Sequence, residues 1–177
     1  MQFSDGIFIF LLYTCFTSCL YSIRHQKLNV MKAPVILIVD DDHEDRELLE
    51  EAIHEIDSSI KCRTATDGRE ALALLQNMDD APDMIFLDLN MPKINGKQCL
   101  NEIKKTERFN TVPVIIYTTS KLSEDIAETR NMGASCFITK PNTYRELRTS
   151  IVSLISNLKS PKNREPEFAV LTSTLFH

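Results

Sequence analysis

The chain has 177 residues, enough for one domain with its own core and short extensions; two full domains would be a squeeze. Hydrophobic residues make up 43% and charged residues 25%, ordinary proportions for a globular protein. A net charge of -5 without long runs of one sign argues against DNA or RNA as the main partner, since either would require a basic face.

Gly6 to Ile23 is an uncharged, mostly apolar run, GIFIFLLYTCFTSCLYSI, just long enough to cross a membrane. Arg24, His25 and Lys27 follow it and no Lys or Arg precedes it, so a span here would leave the rest of the chain on the cytoplasmic side. A secretory signal fits less well, because the basic n-region and an Ala-x-Ala site are missing. Met31 stands immediately before the patterned part of the chain, and MKAPVILIVDDD reads as a natural start. Residues 1–30 are therefore either a membrane anchor or an extension ahead of the true start, and the sequence leaves both open.

From Lys32 to about Lys159 two patterns alternate. Short apolar runs predict buried strands at Val35–Val39, Ile60–Ala65, Met84–Leu87, Val114–Tyr117 and Cys136–Thr139, the second polar enough to be an edge. Between them lie five helical stretches. HEDRELLEEAIHEI places Leu49, Ile53 and Ile56 on one face. REALALLQNM follows an Asp67-Gly68 turn, and a third helix starts near Gly96 and carries Leu100 and Ile103. SEDIAETRNMG is predicted to begin at a Ser123 cap and stop at Gly133. NTYRELRTSIVSLISNL buries Leu147, Ile151, Leu154 and Leu158. Strands alternating with helices imply parallel pairing and right-handed crossovers, and hence a doubly wound α/β fold with a five-stranded parallel sheet and five helices. Residues 160–177 contain two prolines and an apolar patch, too short for an output domain; they predict a disordered tail or one strand lying on a neighbour.

In such a sheet chemistry gathers beyond the C-terminal strand ends. After the first strand come Asp40, Asp41 and Asp42; after the third, Asp88; after the fourth, Thr118, Thr119 and Ser120; after the fifth, Lys140 and Pro141. Clustered carboxylates repel and call for a cation, and an oxygen-only set selects a hard ion such as Mg²⁺. A lysine and a threonine hydroxyl beside it suit phosphoryl oxygens. One carboxylate would then be the nucleophile, forming an aspartyl phosphate. Asp42 is better placed as the cap of the first helix, whereas no helix follows Asp88 at once. A P-loop or dinucleotide fingerprint would need a Gly-rich loop after the first strand, and none is there. A phosphohydrolase using Asp-x-Asp lacks its second carboxylate, since that position is Asn90.

The stretches ILIVDDD, IFLDLNMPKINGKQCLNEIKK, PVIIYTTS and ASCFITKP together resemble the receiver domain of two-component response regulators, over Lys32 to about Lys159. The resemblance implies a flavodoxin-like receiver fold of the stand-alone, single-domain type. It implies that Asp88 is the phosphoacceptor, supplied by a sensor histidine kinase or phosphotransfer protein. Asp41, Asp88 and the backbone carbonyl of Asn90 would hold Mg²⁺, with Asp40 acting through a water. Lys140 would pair with the phosphoryl group, Thr118 would move toward it, and the switch residue Phe137 would rotate inward, remodelling a partner-binding surface. Such a protein is cytoplasmic, or anchored to the inner face of the membrane if residues 1–30 are an anchor. It is not an enzyme beyond slow self-dephosphorylation. Thr119 stands where a smaller residue is usual in the family. An alternative is a receiver fold used as an interaction module without phosphorylation.

Five cysteines, without a Cys-x-x-Cys pair, suggest neither a disulfide framework nor a zinc site. Cys62, Cys99 and Cys136 lie in apolar segments and are expected to be buried thiols. His43 and His54, eleven positions apart on one helix, are too distant to share a ligand.

Overall fold

The computed structural model describes residues 32–158 and 168–171. Residues 1–30, read above as an anchor or a gene extension, lie outside the described residues. No helix among the described residues is long and apolar enough to cross a membrane.

Strands and helices alternate along the chain: β1 Val35–Val39, α1 His43–Ile56, β2 Lys61–Ala65, α2 Gly68–Asn77, β3 Met84–Leu87, α3 Gly96–Lys105, β4 Val114–Thr118, α4 Ser123–Asn131, β5 Cys136–Thr139 and α5 Tyr144–Asn157. A last strand, β6, runs over Ala169–Leu171. All the pairings are parallel and the order is β2-β1-β3-β4-β5-β6. The polar β2 is an edge, as its composition predicts.

The sheet is covered on both faces, which is why its strands read as continuous apolar runs. Alternate residues serve opposite cores. Leu37, Val39, Ile85, Leu87 and Ile116 pack with Ala71, Leu75, Leu100 and Ile103 of α2 and α3. Ile36, Ile38, Phe86 and Tyr117 pack with Leu49 and Ile53 of α1 and Leu147 and Ile151 of α5. The predicted apolar faces of α1 and α5 are the buried ones, although Ile56, Leu154 and Leu158 are only partly covered.

Two expectations need correction. The sheet has six strands, because β6 extends the parallel ladder beyond β5, pairing Cys136, Phe137 and Ile138 with Ala169, Val170 and Leu171. Of the two readings offered for residues 160–177, one strand lying on a neighbour is the one seen at Ala169–Leu171, and its neighbour is β5. Phe168 and Val170 join one core and Leu171 the other. Ser123 is not a cap: the N-cap of α4 is Leu122, which makes no side-chain cap bond. Ser120 serves that end instead, accepting from the Leu122 N–H at 3.3 Å and donating to the Asp125 carboxylate. Gly133 ends the helical run as predicted, with φ of 93° in the left-handed region.

Candidate functional site

The loops after β1, β3 and β5 are drawn together by extensions of the strand ladders. Asp40 N–H donates to the Ala65 carbonyl at 3.0 Å, Asp88 N–H to that of Val39 at 2.9 Å, and Lys140 N–H to that of Thr118 at 2.8 Å. Asp40, Asp41 and Asp88 thus meet at one sheet edge, each with a carboxylate oxygen within 4.8 Å of the others'. Asp40 and Asp88 are buried and Asp41 is exposed. Asp42 is the N-cap of α1, its side chain accepting from Glu44 N–H at 2.8 Å and Asp45 N–H at 3.4 Å, as the sequence suggests.

Lys140 supplies the counter-charge. Its Nζ lies 2.7 Å from Asp40 Oδ2, 2.6 Å from Asp45 Oδ2 and 3.7 Å from Asp88 Oδ2. Burial pushes the Asp40 carboxyl up to about 6, against the pull of the Lys140 ammonium, which lowers it. Burial alone would lower the Lys140 pKa, but its contacts with Asp40 and Asp45 and the charge of Asp88 outweigh that and raise it.

The acceptor loop is fixed by its own backbone. Asp88 Oδ1 accepts from the Leu89 N–H at 2.7 Å, which leaves Oδ2 on the Lys140 side. Leu89 and Met91 are buried. Lys93 adopts a φ of 65° and pairs with the buried Asp67, whose other oxygen caps α2. Gly68 N–H donates to the Ile94 carbonyl at 3.3 Å, and a Cβ at Gly68 would lie 2.7 Å from that oxygen. The predicted Asp67-Gly68 turn is therefore the start of α2, and it braces the loop that carries Asp88.

Thr118 is buried, and its hydroxyl accepts from Asn90 Nδ2 and from the Ser120 N–H, both at 3.4 Å. Asn90 Nδ2 also reaches Thr119 Oγ1 at 3.5 Å, and Thr119 is exposed at the rim. The Asn90 side chain therefore ties the β3 and β4 loops together. Phe137 is wholly buried in the same core as Ile116 and Ile103, with Val170 beside it in the ladder. The outward position from which an inward rotation would start is not the one seen.

Sequence reasoning missed Asp45, which reads as one more acid in the first turn of α1. It also missed the Lys93–Asp67 pair. A third juxtaposition was equally hidden: His54 and Glu50 of α1 meet Cys62 of β2, with donor atoms within 4.8 Å of one another. There a ring nitrogen of His54, Nε2, lies 3.1 Å from the Ile60 carbonyl, and burial, helped by the Glu50 charge, pushes the Cys62 thiol up to about 12. Cys99 and Cys136 are buried thiols, pushed up to about 12 and about 11 by burial.

An oxygen-only cluster containing two buried carboxylates, one of which resists ionisation, is chemically suited to a hard divalent cation. Together with Lys140 it can receive an anionic group beside a nucleophilic carboxylate.

The model of the response regulator receiver domain family matches residues 36–152. The response regulator Rcp1 of Synechocystis is 31% identical over 118 residues, covering 64% of this chain and 80% of that one. The structure of the phosphorylated cyanobacterial phytochrome response regulator RcpA superposes with a TM-score of 0.68 at 30% identity, over 73% of this chain and 96% of that one. The Mn²⁺-bound form of Rcp1 gives 0.66 at 28% identity, over 73% and 97%.

Proposed function

The chain belongs to the response regulator receiver domain family, and from that premise we propose that Asp88 accepts a phosphoryl group from a phosphohistidine on a sensor histidine kinase or phosphotransfer protein. One observation carries the reading: Asp88, 5% exposed, has the Lys140 ammonium 3.7 Å from its Oδ2 and the carboxylates of Asp40 and Asp41 beside it. The ammonium offsets the negative charge that phosphorylation adds, and the neighbouring carboxylates call for a cation that would do the same.

Asp88 Oδ2 is the attacking atom, because Oδ1 is engaged by the Leu89 N–H. It forms the new bond to phosphorus while the donor's bond to phosphorus breaks and the donor leaves with the electron pair. Asp41, Asp88 and the Asn90 backbone would hold a Mg²⁺ ion, with Asp40 acting through water; when bound, the ion neutralises charge on the transferring group. The Mn²⁺-bound relative and the acidic cluster support this assignment. Lys140 holds a phosphoryl oxygen. Thr118 donates its hydroxyl to another once it turns from Asn90 and Ser120. The altered β4–α4 loop then presents a changed surface to a downstream protein.

The chain acts as a phosphoacceptor rather than an enzyme, with slow self-dephosphorylation, in the cytoplasm where phosphohistidine kinases draw on ATP. Incubation with Mg²⁺ and acetyl phosphate tests the reading. A mass gain of about 80 Da, absent in Asp88→Asn, is expected for an aspartyl phosphate. No gain in the wild type would instead favour an interaction module that works without phosphorylation.

A further inference from the structure

Lys140 has three N–H donors, and in the structure the two short contacts go to Asp40 Oδ2 at 2.7 Å and Asp45 Oδ2 at 2.6 Å. Asp88 Oδ2, at 3.7 Å, is near enough to attract the ammonium but beyond hydrogen-bond length. The lysine is thus held by Asp40 of the β1 loop and by Asp45 of the first helix rather than by the acceptor.

Asp45 is free to do this for a local reason. It is the third residue of α1, where an acid commonly turns back to accept the N–H of the cap residue. Here the cap N–H, that of Asp42, is already bonded to Asp40 Oδ1 at 3.0 Å. The side chain of Asp45 is therefore available, and it points across the site to a lysine 95 positions later. The Lys140 side chain is only 9% exposed while that of Asp45 is 32% exposed, so the ammonium is shielded and the Asp45 end of the pair reaches solvent.

We propose that Asp45 is a positioning residue that keeps the Lys140 ammonium in reserve, and that transfer of this ammonium from Asp45 to the incoming phosphoryl oxygens tunes both capture and retention of the phosphoryl group. The proposal rests on Asp88 as the phosphoacceptor. The covalent step is unchanged: Asp88 Oδ2 bonds to phosphorus, and the donor leaves with its electron pair. What Asp45 adds is a competing anion, whose contact with Lys140 must be given up as the new one forms. An Asp45 that cannot hold the lysine leaves it nearer Asp88 and the phosphoryl group.

The test compares wild type with Asp45→Asn, Asp45→Glu and Glu44→Gln. Glu44 is an exposed acid one position away in the same helical turn, so its loss reports on simple removal of negative charge. Binding of beryllofluoride with Mg²⁺, a phosphoryl mimic, is read by calorimetry, and the rate of acetyl phosphate labelling is resolved into its half-saturating concentration and its maximum. Asp45→Asn is expected to bind the mimic at least about fivefold more tightly and to label with a higher maximal rate, with Glu44→Gln within about twofold of wild type. Asp45→Glu, which keeps a carboxylate in reach, returns both readings toward wild type. The ¹⁵N resonance of the Lys140 ammonium shifts in Asp45→Asn alone. Equal behaviour of Asp45→Asn and wild type, or of Asp45→Asn and Glu44→Gln, overturns the proposal. A wild type that neither labels nor binds the mimic overturns the acceptor reading beneath it instead.

Discussion

Gly96 lies directly against the backbone of Asp88: a Cβ placed on Gly96 would overlap the Asp88 carbonyl oxygen and stand 2.6 Å from the Leu89 Cα. The atoms in the way are main chain, so no side-chain rotation can relieve the contact. Gly96 N–H also donates to the Leu89 carbonyl at 3.1 Å, closing the loop that carries the acceptor. Gly96→Ala therefore has to displace either α3 or the Asp88 loop. The expected cost is about 1–3 kcal/mol in urea unfolding, typical of a buried steric conflict. Acetyl phosphate labelling of whatever remains folded is expected to fall about tenfold or more, because small displacements of reacting groups are costly. Labelling at the wild-type rate would show that the loop geometry is not what prepares Asp88.

Lys93 sets an ion pair against backbone strain in the same loop. A φ of 65° disfavours any residue with a Cβ, while the ammonium neutralises Asp67, whose side chain is only 5% exposed. Lys93 is the main reason the Asp67 carboxyl lies below the usual range, with the α2 N–H groups adding to it. Lys93→Ala loses the pair and keeps the strain. Lys93→Gly loses the pair and relieves the strain. The glycine variant is expected to be about 1 kcal/mol more stable than the alanine variant, read from thermal or urea unfolding. Equal stability would mean that the left-handed backbone costs nothing here.

Burial gives Asp40 an unusual pH signature. Its carboxyl keeps its proton up to about 6 in the folded chain, against an ordinary value of 3.8. Between those values the native state binds more protons than the unfolded state, so stability falls as pH rises through the window. Asp40→Asn cannot ionise and escapes that loss. Its stability relative to wild type is expected to rise from about pH 4 to about pH 6 and then level off, by at most about 3 kcal/mol, in metal-free buffer. Asp67, Glu70 and Asp125 have carboxyls below the usual range, so they titrate below this window and do so in both proteins. A pH-independent difference between the two proteins would rule out the burial penalty on Asp40.

Thr119 is exposed at the rim of the site, where Asn90 Nδ2 approaches its hydroxyl at 3.5 Å. If Asp88 carries a phosphoryl group as proposed, a β-branched side chain there is expected to narrow the approach of water to it. Thr119→Ala is expected to speed decay of phospho-Asp88 by about three- to tenfold, a barrier change near 1 kcal/mol. Unchanged or slower decay would sink the idea.

How much of this was legible in the sequence follows from range. The five strand–helix units, the Asp42 cap and the meeting of Asp40, Asp41, Asp88 and Lys140 all follow from local periodicity and one topological rule, that chemistry gathers at the C-terminal strand ends. The residues that escaped notice are those whose meaning depends on a distant partner. Asp45 is one acid in an acidic helical turn until the fold brings Lys140 to it, and Lys93 is a loop lysine until Asp67 faces it. Ser120 serves the α4 terminus in place of Ser123; the Thr118-Thr119-Ser120 run offered such a cap in sequence, but only the turn geometry decides between the two serines.

β6 is the extreme case of that dependence, and it carries the last prediction. Three residues cannot hold a strand by themselves; Ala169–Leu171 is ordered by the β5 ladder and by what its alternate side chains cover. Phe168 also lies beneath the Arg130 guanidinium, 5.3 Å from ring centre to the Cζ carbon. With Phe168, Val170 and Leu171 each half-buried, the segment is expected to contribute about 2–3 kcal/mol from apolar burial, less the entropy of ordering it. Ending the chain after Leu158 should therefore lower the unfolding midpoint without abolishing folding. It should also leave the N–H and C=O groups of β5 open along a hydrophobic edge that already holds Phe137 and Ile138, the kind of edge that pairs with other chains. The truncated protein is expected to self-associate with rising concentration in sedimentation velocity under conditions where the full chain shows less association. Phe168→Ala separates the two effects, because it removes apolar cover while leaving the ladder in place: it should lower stability by about 1 kcal/mol and leave association unchanged. Truncation that alters neither stability nor association would mean that β6 adds no more than a surface contact to β5.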